Sequence, residues 1–155
     1  MSPDRRNPEF RLAAPTDAEL LLDLMCEYYS FDGHHYHRQK ARVALLDLLK
    51  HPTFGCAWLI NDGTAVAGYI VLCYGYSLEY LGRDAFIDEF YLRESYRGIG
   101  WGRAAFEFAR EQARRENVQA IHLEVVKSNT GALGFYRKLG FKDHDHHLMT
   151  LPLTR

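Results

Sequence analysis

The segment Arg97-Gly98-Ile99-Gly100-Trp101-Gly102 separates a strand-like run, residues 85–92, from a helix-like run that begins near Arg103. Glycine lets a ligand approach the backbone closely, and the first N–H groups of a helix have no partner within that helix. A glycine-rich turn that opens a helix therefore suits a phosphate group. Arg97 adds a positive charge with a planar set of donors. The segment predicts a binding site for a phosphorylated ligand.

A glycine-rich turn also occurs in dinucleotide sites, in Walker-type loops and in turns that bind no ligand. A dinucleotide site needs the spacing G-x-G-x-x-G, but here Arg103 stands where the third glycine is required. One feature favours such a site, because Glu124 lies about 20 residues further on, roughly where a ribose-binding acid would stand. A Walker-type loop needs G-K-[ST], which is missing. A turn that binds no ligand is disfavoured, because alternate glycines at a helix start are unfavourable in backbone entropy.

The remaining sequence alternates strand-like and helix-like runs. Asp62-Gly63 between two apolar runs is typical of a hairpin. The strand–helix–strand unit over residues 85–126 predicts a right-handed parallel crossover. We expect one α/β domain over residues 1–155 with a mixed sheet. The expected strands are residues 10–14, 56–60, 65–74, 85–92, 120–126 and 141–151, and the expected helices are residues 16–28, 41–49, 103–116 and 128–140.

Composition indicates an ordinary globular protein. The 155 residues are 47% hydrophobic and 25% charged, and a formal net charge of −1 gives no electrostatic reason to expect nucleic acid or an anionic membrane as a partner. Cys26, Cys56 and Cys73 form no C-x-x-C pair, which predicts three buried thiols in a reducing compartment. Residues 1–10 contain no apolar signal core, and no apolar run is long enough for a membrane helix, so we expect a cytoplasmic protein.

Two motifs resemble those of a known family. Arg97-x-x-Gly100-x-Gly102 resembles the R/Q-x-x-G-x-G/A signature of the GNAT superfamily of N-acetyltransferases, and residues 87–92 are similar to the strand that precedes it there. Residues 123–141, with Asn129 and Phe135-Tyr136, resemble the second motif of that family. The resemblance covers essentially the whole chain. It implies a mostly antiparallel central sheet with helices on both faces and with fourth and fifth strands that splay apart.

The resemblance also implies acetyl-CoA as the donor. Backbone N–H groups of the turn would bind the pyrophosphate, Arg97 would position it, and the pantetheine arm would pair with the strand before the turn. Asn129 would bind the arm, or cap its helix, or do both. The cofactor-binding residues predicted in this way are Phe90, Tyr91, Leu92, Arg97, Gly98, Ile99, Gly100, Trp101, Gly102, Arg103, Asn129 and Phe135.

Acetyl transfer to an amine needs a neutral amine and stabilisation of the departing thiolate. Tyr136 matches the acid tyrosine of the family; the simpler alternative is a core tyrosine. Because a phenol is a weaker acid than a thiol, we expect Tyr136 to act by hydrogen bonding as charge develops. Asp88 and Glu89 are the candidate bases, acting through water or by binding the cation, unless both simply lie in solvent. Because side chains alternate across a strand, only one of these two acids should face the cleft unless a bulge intervenes. The resemblance alone favours Asp88 over Glu89 as the base.

The acceptor site is predicted in an aromatic and histidine-rich loop after the first helix. Tyr28, Tyr29 and Asp32 would hold an amine by cation–π and charge contacts, and Tyr76 would form a second wall. The alternative is a half-buried aromatic surface without a ligand. Two histidine clusters, residues 34–37 and 144–147, match no zinc spacing, so we expect no metal requirement.

These features predict an acetyl-CoA-dependent N-acetyltransferase that acts on a primary amine by direct transfer in a ternary complex. Neither motif contains a cysteine, which argues against a covalent acyl-enzyme. The adjacent acids of the strand resemble those of small-molecule amine acetyltransferases, which favours a small acceptor over a protein. The alternatives are a non-catalytic acyl-CoA-binding or sensor domain and a nucleotide-cofactor enzyme. The family also allows a homodimer.

Overall fold

The computed structural model describes residues 7–153 and divides into two compact units, which meet in the sequence between Leu123 and Glu124. Most of the N-terminal segment that we expect to lack a signal core lies outside the described residues. The interpretation of residues 1–155 as a single domain stays a prediction.

The first unit contains a five-stranded sheet in the order β1-β2-β3-β4-β5. The first four strands pair antiparallel, and β4 and β5 pair parallel. This arrangement confirms the mixed, mostly antiparallel sheet and the parallel crossover. The strands are β1 (Glu9–Leu12), β2 (Gly55–Asp62), β3 (Ala65–Ser77), β4 (Gly82–Leu92) and β5 (Ala120–His122).

Helices cover both faces of this sheet, as expected. The first unit contains α1 (Ala18–Asp32), α2 (Arg38–Lys50) and α3 (Trp101–Arg115), and the second contains α4 (Thr130–Lys138). Side chains alternate across a strand, so Leu59 and Ile60 of β2 point to opposite faces. Leu59 joins the buried cluster beneath α1 and α2, whereas Ile60 packs with Trp101 and Ala105 of α3.

The first helix is longer than predicted. α1 runs on to Asp32, so Tyr28, Tyr29 and Phe31 lie among its last five residues and not in a loop. Gly33 ends the helix in the left-handed region, with φ 71°, a conformation that glycine adopts without strain. Just before the helix begins, the Asp17 carboxylate accepts the Ala14 N–H and two Arg11 N–H groups.

The predicted last strand, residues 141–151, is wrong. A strand requires a hydrogen-bonded neighbour, and the structure assigns no strand within the part of the chain it describes beyond His122. Residues 142–153 are exposed. The alternating His–Asp pattern therefore indicated exposure and not pairing. β5 is also shorter than the predicted residues 120–126 and ends at His122.

The cysteines differ from expectation in their burial. Cys26 is exposed on α1, Cys56 and Cys73 are half-buried, and all three thiols are free. The prediction of three buried thiols is therefore wrong, most clearly for Cys26. Within residues 7–153, no helix is long and apolar enough to cross a bilayer.

Candidate functional site

A β-bulge in β4 brings its two acids to one cleft. Val71 of β3 pairs with Glu89, but the next residue, Leu72, pairs with Ile87, so Asp88 is an extra residue without a partner in the ladder. A bulge bends its strand and redirects the side chains around it. Strict alternation would have turned only one acid towards the cleft, whereas the bulge lets both Asp88 and Glu89 line it.

Glu89 is the buried member of the pair, with 9% of its surface exposed. Its two carboxylate oxygens accept hydrogen bonds from the hydroxyl of Tyr29 at 2.6 Å and from that of Tyr69 at 2.8 Å. Burial raises the pKa of Glu89, and the two tyrosine hydrogen bonds oppose part of that rise. Both oxygens are thus engaged inside the protein, which suits Glu89 to holding Tyr29 in place.

Asp88 is the exposed member of the pair. Partial desolvation still raises its pKa above the usual value for an aspartate, which makes its carboxylate a somewhat better base. The neighbouring Cys73 is affected as well, since burial, and then the charge of Asp88, raise the pKa of its thiol to about 12. Of the two predicted bases, Asp88 is the one whose carboxylate reaches solvent in the cleft.

The cleft lies between the end of α1 and the bulge of β4, and has a volume of about 690 Å³. It brings together five residues that the sequence predicted for substrate binding or catalysis. It also adds His34 and His35, which belong to the histidine-rich loop but were not predicted individually as site residues. His34 Nε2 lies 3.0 Å from Asp32 Oδ2. The full lining is Tyr28, Tyr29, Asp32, Gly33, His34, His35, Asp88 and Glu89, without a lysine or arginine.

Tyr76 is not among the residues that line this cleft. It pairs with Arg83 near the other end of β3, and 76% of its surface is exposed. Asp88 lies five positions beyond Arg83 on β4, which corresponds to roughly 16 Å along a strand. The structure therefore does not bring Tyr76 to the predicted acceptor site.

The glycine-rich turn has the geometry expected of a phosphate site. Gly98 and Gly100 have φ angles of 71° and 93°, and a Cβ added to either would meet no atom within 4 Å. The first hydrogen bond of α3 runs from the Ala104 N–H to the Gly100 carbonyl at 3.1 Å. The preceding N–H groups, those of residues 101–103, are therefore helix-terminal donors. The space beside both glycines is therefore open.

Other predicted residues of the turn have fixed side chains. The Trp101 ring is buried and packs at 4.9 Å from the Tyr96 ring, so only its backbone remains for a ligand. Arg97 donates from Nε to the Leu92 carbonyl at 2.7 Å, and its guanidinium lies 4.5 Å from the centre of the Phe31 ring. An anion would thus meet the Nη end of a guanidinium already held in place.

The pairing of β4 with β5 ends early, as expected of splayed strands. β5 pairs only with residues 84–86 of β4, and β4 continues to Leu92. Phe90, Tyr91 and Leu92, which we predicted to contact the pantetheine arm, lie in this continuation. The Leu92 carbonyl already accepts the Arg97 hydrogen bond.

In the second unit, Asn129 caps α4, as predicted, by accepting the Ala132 N–H at 3.1 Å. The ring of Tyr136 lies 5.4 Å from that of Phe135 and 6.0 Å from that of Phe141. Desolvation by burial raises the pKa of Tyr136, so its hydroxyl keeps its proton at neutral pH. The roles predicted for these residues in binding and catalysis stay predictions.

The histidine clusters do not form a metal centre in the described residues 7–153, where no group of three or more His, Cys, Asp or Glu side chains is arranged to hold an ion. The rings of His35 and His37 stack on each other, as do those of His144 and His146.

Comparison with known proteins places this geometry in context. Residues 18–141 match the model of the acetyltransferase (GNAT) family. An uncharacterized N-acetyltransferase of Methanocaldococcus jannaschii is 29% identical over 131 residues, which cover 83% of this chain and 58% of that protein. A thialysine N-epsilon-acetyltransferase of Bos taurus is 30% identical over 82 residues, which cover 53% of this chain and 48% of that protein. The chain spans about half the length of these curated relatives.

Solved structures share the fold. An integron cassette protein from the mobile metagenome of Cole Harbour Salt Marsh is 34% identical, with a TM-score of 0.84 over 94% of this chain and 91% of that one. An acetyltransferase of Clostridium acetobutylicum, solved with acetyl-CoA, has a TM-score of 0.79 at 18% identity, over 93% of this chain and 96% of that one. At this identity the likeness shows the fold alone.

Proposed function

Because the chain belongs to the GNAT family of acetyltransferases, we propose that it transfers the acetyl group of acetyl-CoA directly to a small primary amine that carries a second positive charge. The observation that carries this proposal is the charge of the cleft between α1 and β4. Three carboxylates line it, those of Asp32, Asp88 and Glu89, and no lysine or arginine does. A diamine or a basic amino acid would supply the missing positive charge.

Binding of the reacting amine would begin with Asp88 and Tyr29. Since the Tyr29 hydroxyl donates its proton to Glu89, its oxygen lone pairs remain to accept a hydrogen bond from an ammonium. Asp88 supplies a carboxylate to the same ammonium. The faces of Tyr28 and Tyr29 add cation–π attraction, which aromatic rings offer to ammonium groups in sites shielded from water.

The second charge of the acceptor would lie towards Asp32, at the end of α1. Asp32 contacts His34 in the structure, and both side chains are partly exposed. A competing ammonium would displace the imidazole from this carboxylate. The relative named for thialysine N-epsilon-acetylation supports a small amine as acceptor.

Acetyl-CoA would bind through the turn after β4. The N–H groups of residues 98–103 and the Nη end of Arg97 would hold its diphosphate, and the edge of β4 near Phe90 would pair with its pantetheine arm. Tyr136 would then donate a hydrogen bond to the thiolate as the C–S bond breaks. Direct attack by the amine nitrogen on the thioester carbonyl requires no acyl-enzyme, and no cysteine lines the cleft.

Release of the CoA thiol tests this proposal, with 1,4-diaminobutane compared with butylamine, which has the same length and one charge. We expect kcat/KM to be at least about tenfold higher for the diamine, since an added charge contact in a partly shielded site contributes on the order of 1–2 kcal/mol. The Asp32→Asn variant should reduce this preference, whereas Asp88→Asn should lower kcat/KM for both amines. Asp145→Asn, an exposed control in the second unit, should do neither. Equal kcat/KM values for the two amines would refute the proposal that the acceptor carries a second positive charge. Acetyl-CoA binding without thiol release from any amine would favour the non-catalytic alternative.

A further inference from the structure

His122 ends β5 at the point where β4 and β5 separate. It pairs with Phe86, and Phe86 in turn pairs with Cys73 of β3. Paired residues of neighbouring strands point to the same face of a sheet, and Cys73 packs against the core cluster beneath α1 and α2. The imidazole of His122 therefore lies on the face of the sheet that carries the acceptor cleft.

The imidazole of His122 is held in a defined position. Its Nε2 atom lies 3.2 Å from Oδ2 of Asp84, and 19% of the His122 side chain and 16% of the Asp84 side chain are exposed. The ring centres of Tyr80 and Phe86 lie 4.9 Å and 5.2 Å from that of His122. One nitrogen is thus oriented by a carboxylate while two rings restrict the plane of the imidazole, an arrangement suited to proton transfer by the other nitrogen.

Stability alone does not explain this pair. Partly buried charged pairs often stabilise a protein less than apolar side chains of the same volume would. Here the pair joins β4 to β5, a strand of only three residues, and the rings of Tyr80 and Phe86 pack next to His122. The pair therefore invites a functional explanation.

We propose that His122 accepts, through water, the proton that the acceptor ammonium must lose before transfer, and that Asp84 is the positioning residue for its ring. This inference rests on the acetyltransferase function proposed above. Neither of the predicted bases, Asp88 and Glu89, suits the task as well. Glu89 is engaged by two tyrosines, and Asp88 is the counter-ion that holds the ammonium. An imidazole, in contrast, is the side chain best matched to proton transfer near neutral pH.

The spacing of residues and strands in a sheet allows this proton transfer through water. Asp88 lies two residues beyond Phe86 on β4, and His122 lies one strand across, which corresponds to about 8 Å between the Cα atoms of Asp88 and His122. One or two waters span such a gap between side chains. Within the described residues, the titratable groups in contact with the imidazole are Asp84 of β4 and Tyr80 from the β3–β4 connection, and Asp88 follows Asp84 on the same strand. Arg83 is engaged elsewhere, over the Tyr74 ring and with Glu116.

The proton balance of the step is complete. The ammonium gives one proton to His122 by way of water, and the free nitrogen lone pair forms the C–N bond to the thioester carbonyl. When the tetrahedral intermediate collapses, the C–S bond breaks and its electron pair leaves on sulfur. The second proton of the nitrogen reaches the thiolate, and His122 returns the first to solvent. Asp84 stabilises the imidazolium through its contact with Nε2.

The test compares pH profiles of thiol release from acetyl-CoA and 1,4-diaminobutane. We expect His122→Gln to lower kcat at neutral pH about 100-fold with KM changed less than about threefold, and to remove the acidic limb of the kcat profile. Asp84→Asn should lower kcat about tenfold. His51→Gln is the matched control, because His51 forms a similar contact with Asp47 on the exposed end of α2, and it should behave as wild type.

Chemical rescue separates this role from a merely structural one. Added imidazole should restore turnover to His122→Ala, with a rate that rises with the concentration of neutral imidazole. An active wild type together with an unchanged kcat profile for His122→Gln and no rescue of His122→Ala would overturn this inference and leave the proposed function standing. A wild-type chain that binds acetyl-CoA but acetylates no amine would overturn the proposed function, and this inference with it.

Discussion

The hydroxyl of Tyr29 donates a 2.6 Å hydrogen bond to the carboxylate of Glu89, 60 residues further along the chain. This contact joins the last turn of α1 to the bulge of β4 and thereby shapes the acceptor cleft. Tyr69 donates to the other oxygen of the same carboxylate from the neighbouring strand. One buried acid thus fixes two tyrosines, and only Tyr29 lines the cleft.

The first prediction concerns the buried half of this arrangement. Tyr69 is fully buried, and Tyr69→Phe should lower the free energy of unfolding by about 2 kcal/mol, because one oxygen of Glu89 loses its donor. Urea denaturation measures this loss. Tyr76→Phe, at a site 76% exposed, should change stability by less than about 0.5 kcal/mol. Similar values for the two variants would show that the Tyr69 hydroxyl does not stabilise the fold.

The second prediction concerns the pH dependence of stability. Arg93 contacts Glu27 with two N–H groups, at 2.7 Å and 3.0 Å, and lowers its pKa. A lowered carboxylate pKa stabilises the fold above the pKa of the unfolded chain, and this stability is lost as pH falls through the folded value. Glu27→Gln should therefore lower the free energy of unfolding by about 1 kcal/mol near neutral pH, and by progressively less below about pH 4. The value is small because both side chains of the pair are partly exposed to solvent.

Urea denaturation of the Glu27→Gln variant and the wild type across this pH range provides the measurement. Glu79→Gln, which replaces an exposed glutamate in the β3–β4 connection, is the control and should follow the wild type at every pH. A difference between Glu27→Gln and the wild type that stays constant down to the lowest pH would contradict the assignment to the charge of Glu27.

The third prediction concerns the glycine-rich turn. Gly100→Ala should weaken acetyl-CoA binding by at least about tenfold, because its Cβ would stand in the open space that the diphosphate needs. Backbone strain at φ 93° should also destabilise the fold by about 1 kcal/mol. Gly140→Ala has the same kind of strain, at φ 98° with an equally open surrounding, and should leave the affinity within about twofold. Isothermal titration with acetyl-CoA compares the two, and an equal loss would assign the effect to strain alone.

The fourth prediction concerns Tyr136. Tyr136→Phe keeps the aromatic packing against Phe135 and Phe141 but removes the hydroxyl. If that hydroxyl stabilises the departing thiolate, kcat should fall by about 10- to 100-fold while the Kd of acetyl-CoA stays within about threefold. Tyr74→Phe, which removes a hydroxyl that contacts Cys56, should keep the wild-type rate. Unchanged turnover of Tyr136→Phe would show that the Tyr136 hydroxyl does not stabilise the departing thiolate.

Much of the fold was predictable because it depends on local patterns. Asp62-Gly63 between apolar runs indicated the hairpin of β2 and β3, and Asn129 indicated the start of α4. Apolar periodicity also indicated α3, whose buried residues include Ala105 and Ala109. The last strand was predicted wrongly, because an exposed alternating segment and an edge strand have the same pattern, and only a backbone partner distinguishes them.

The cleft was predictable in its residues but not in its geometry. The types of Tyr28, Tyr29, Asp32, Asp88 and Glu89 indicated binding of a cation, and the structure brings all five to one cleft. The bulge at Asp88 depends on pairing with a strand that is distant in sequence, so no local pattern reveals it. For the same reason the Asp84–His122 contact, which joins two parallel strands, had no signal in the sequence.

Mass-spectrometric analysis of the products formed by the wild-type protein from acetyl-CoA and 1,4-diaminobutane tests direct transfer to a small amine most directly. We expect monoacetylated diamine and free CoA in equal amounts, with the protein itself unmodified. Acetyl-CoA recovered intact, hydrolysed without an acetylated amine, or converted into a stable acetyl-protein would contradict direct transfer to a small amine.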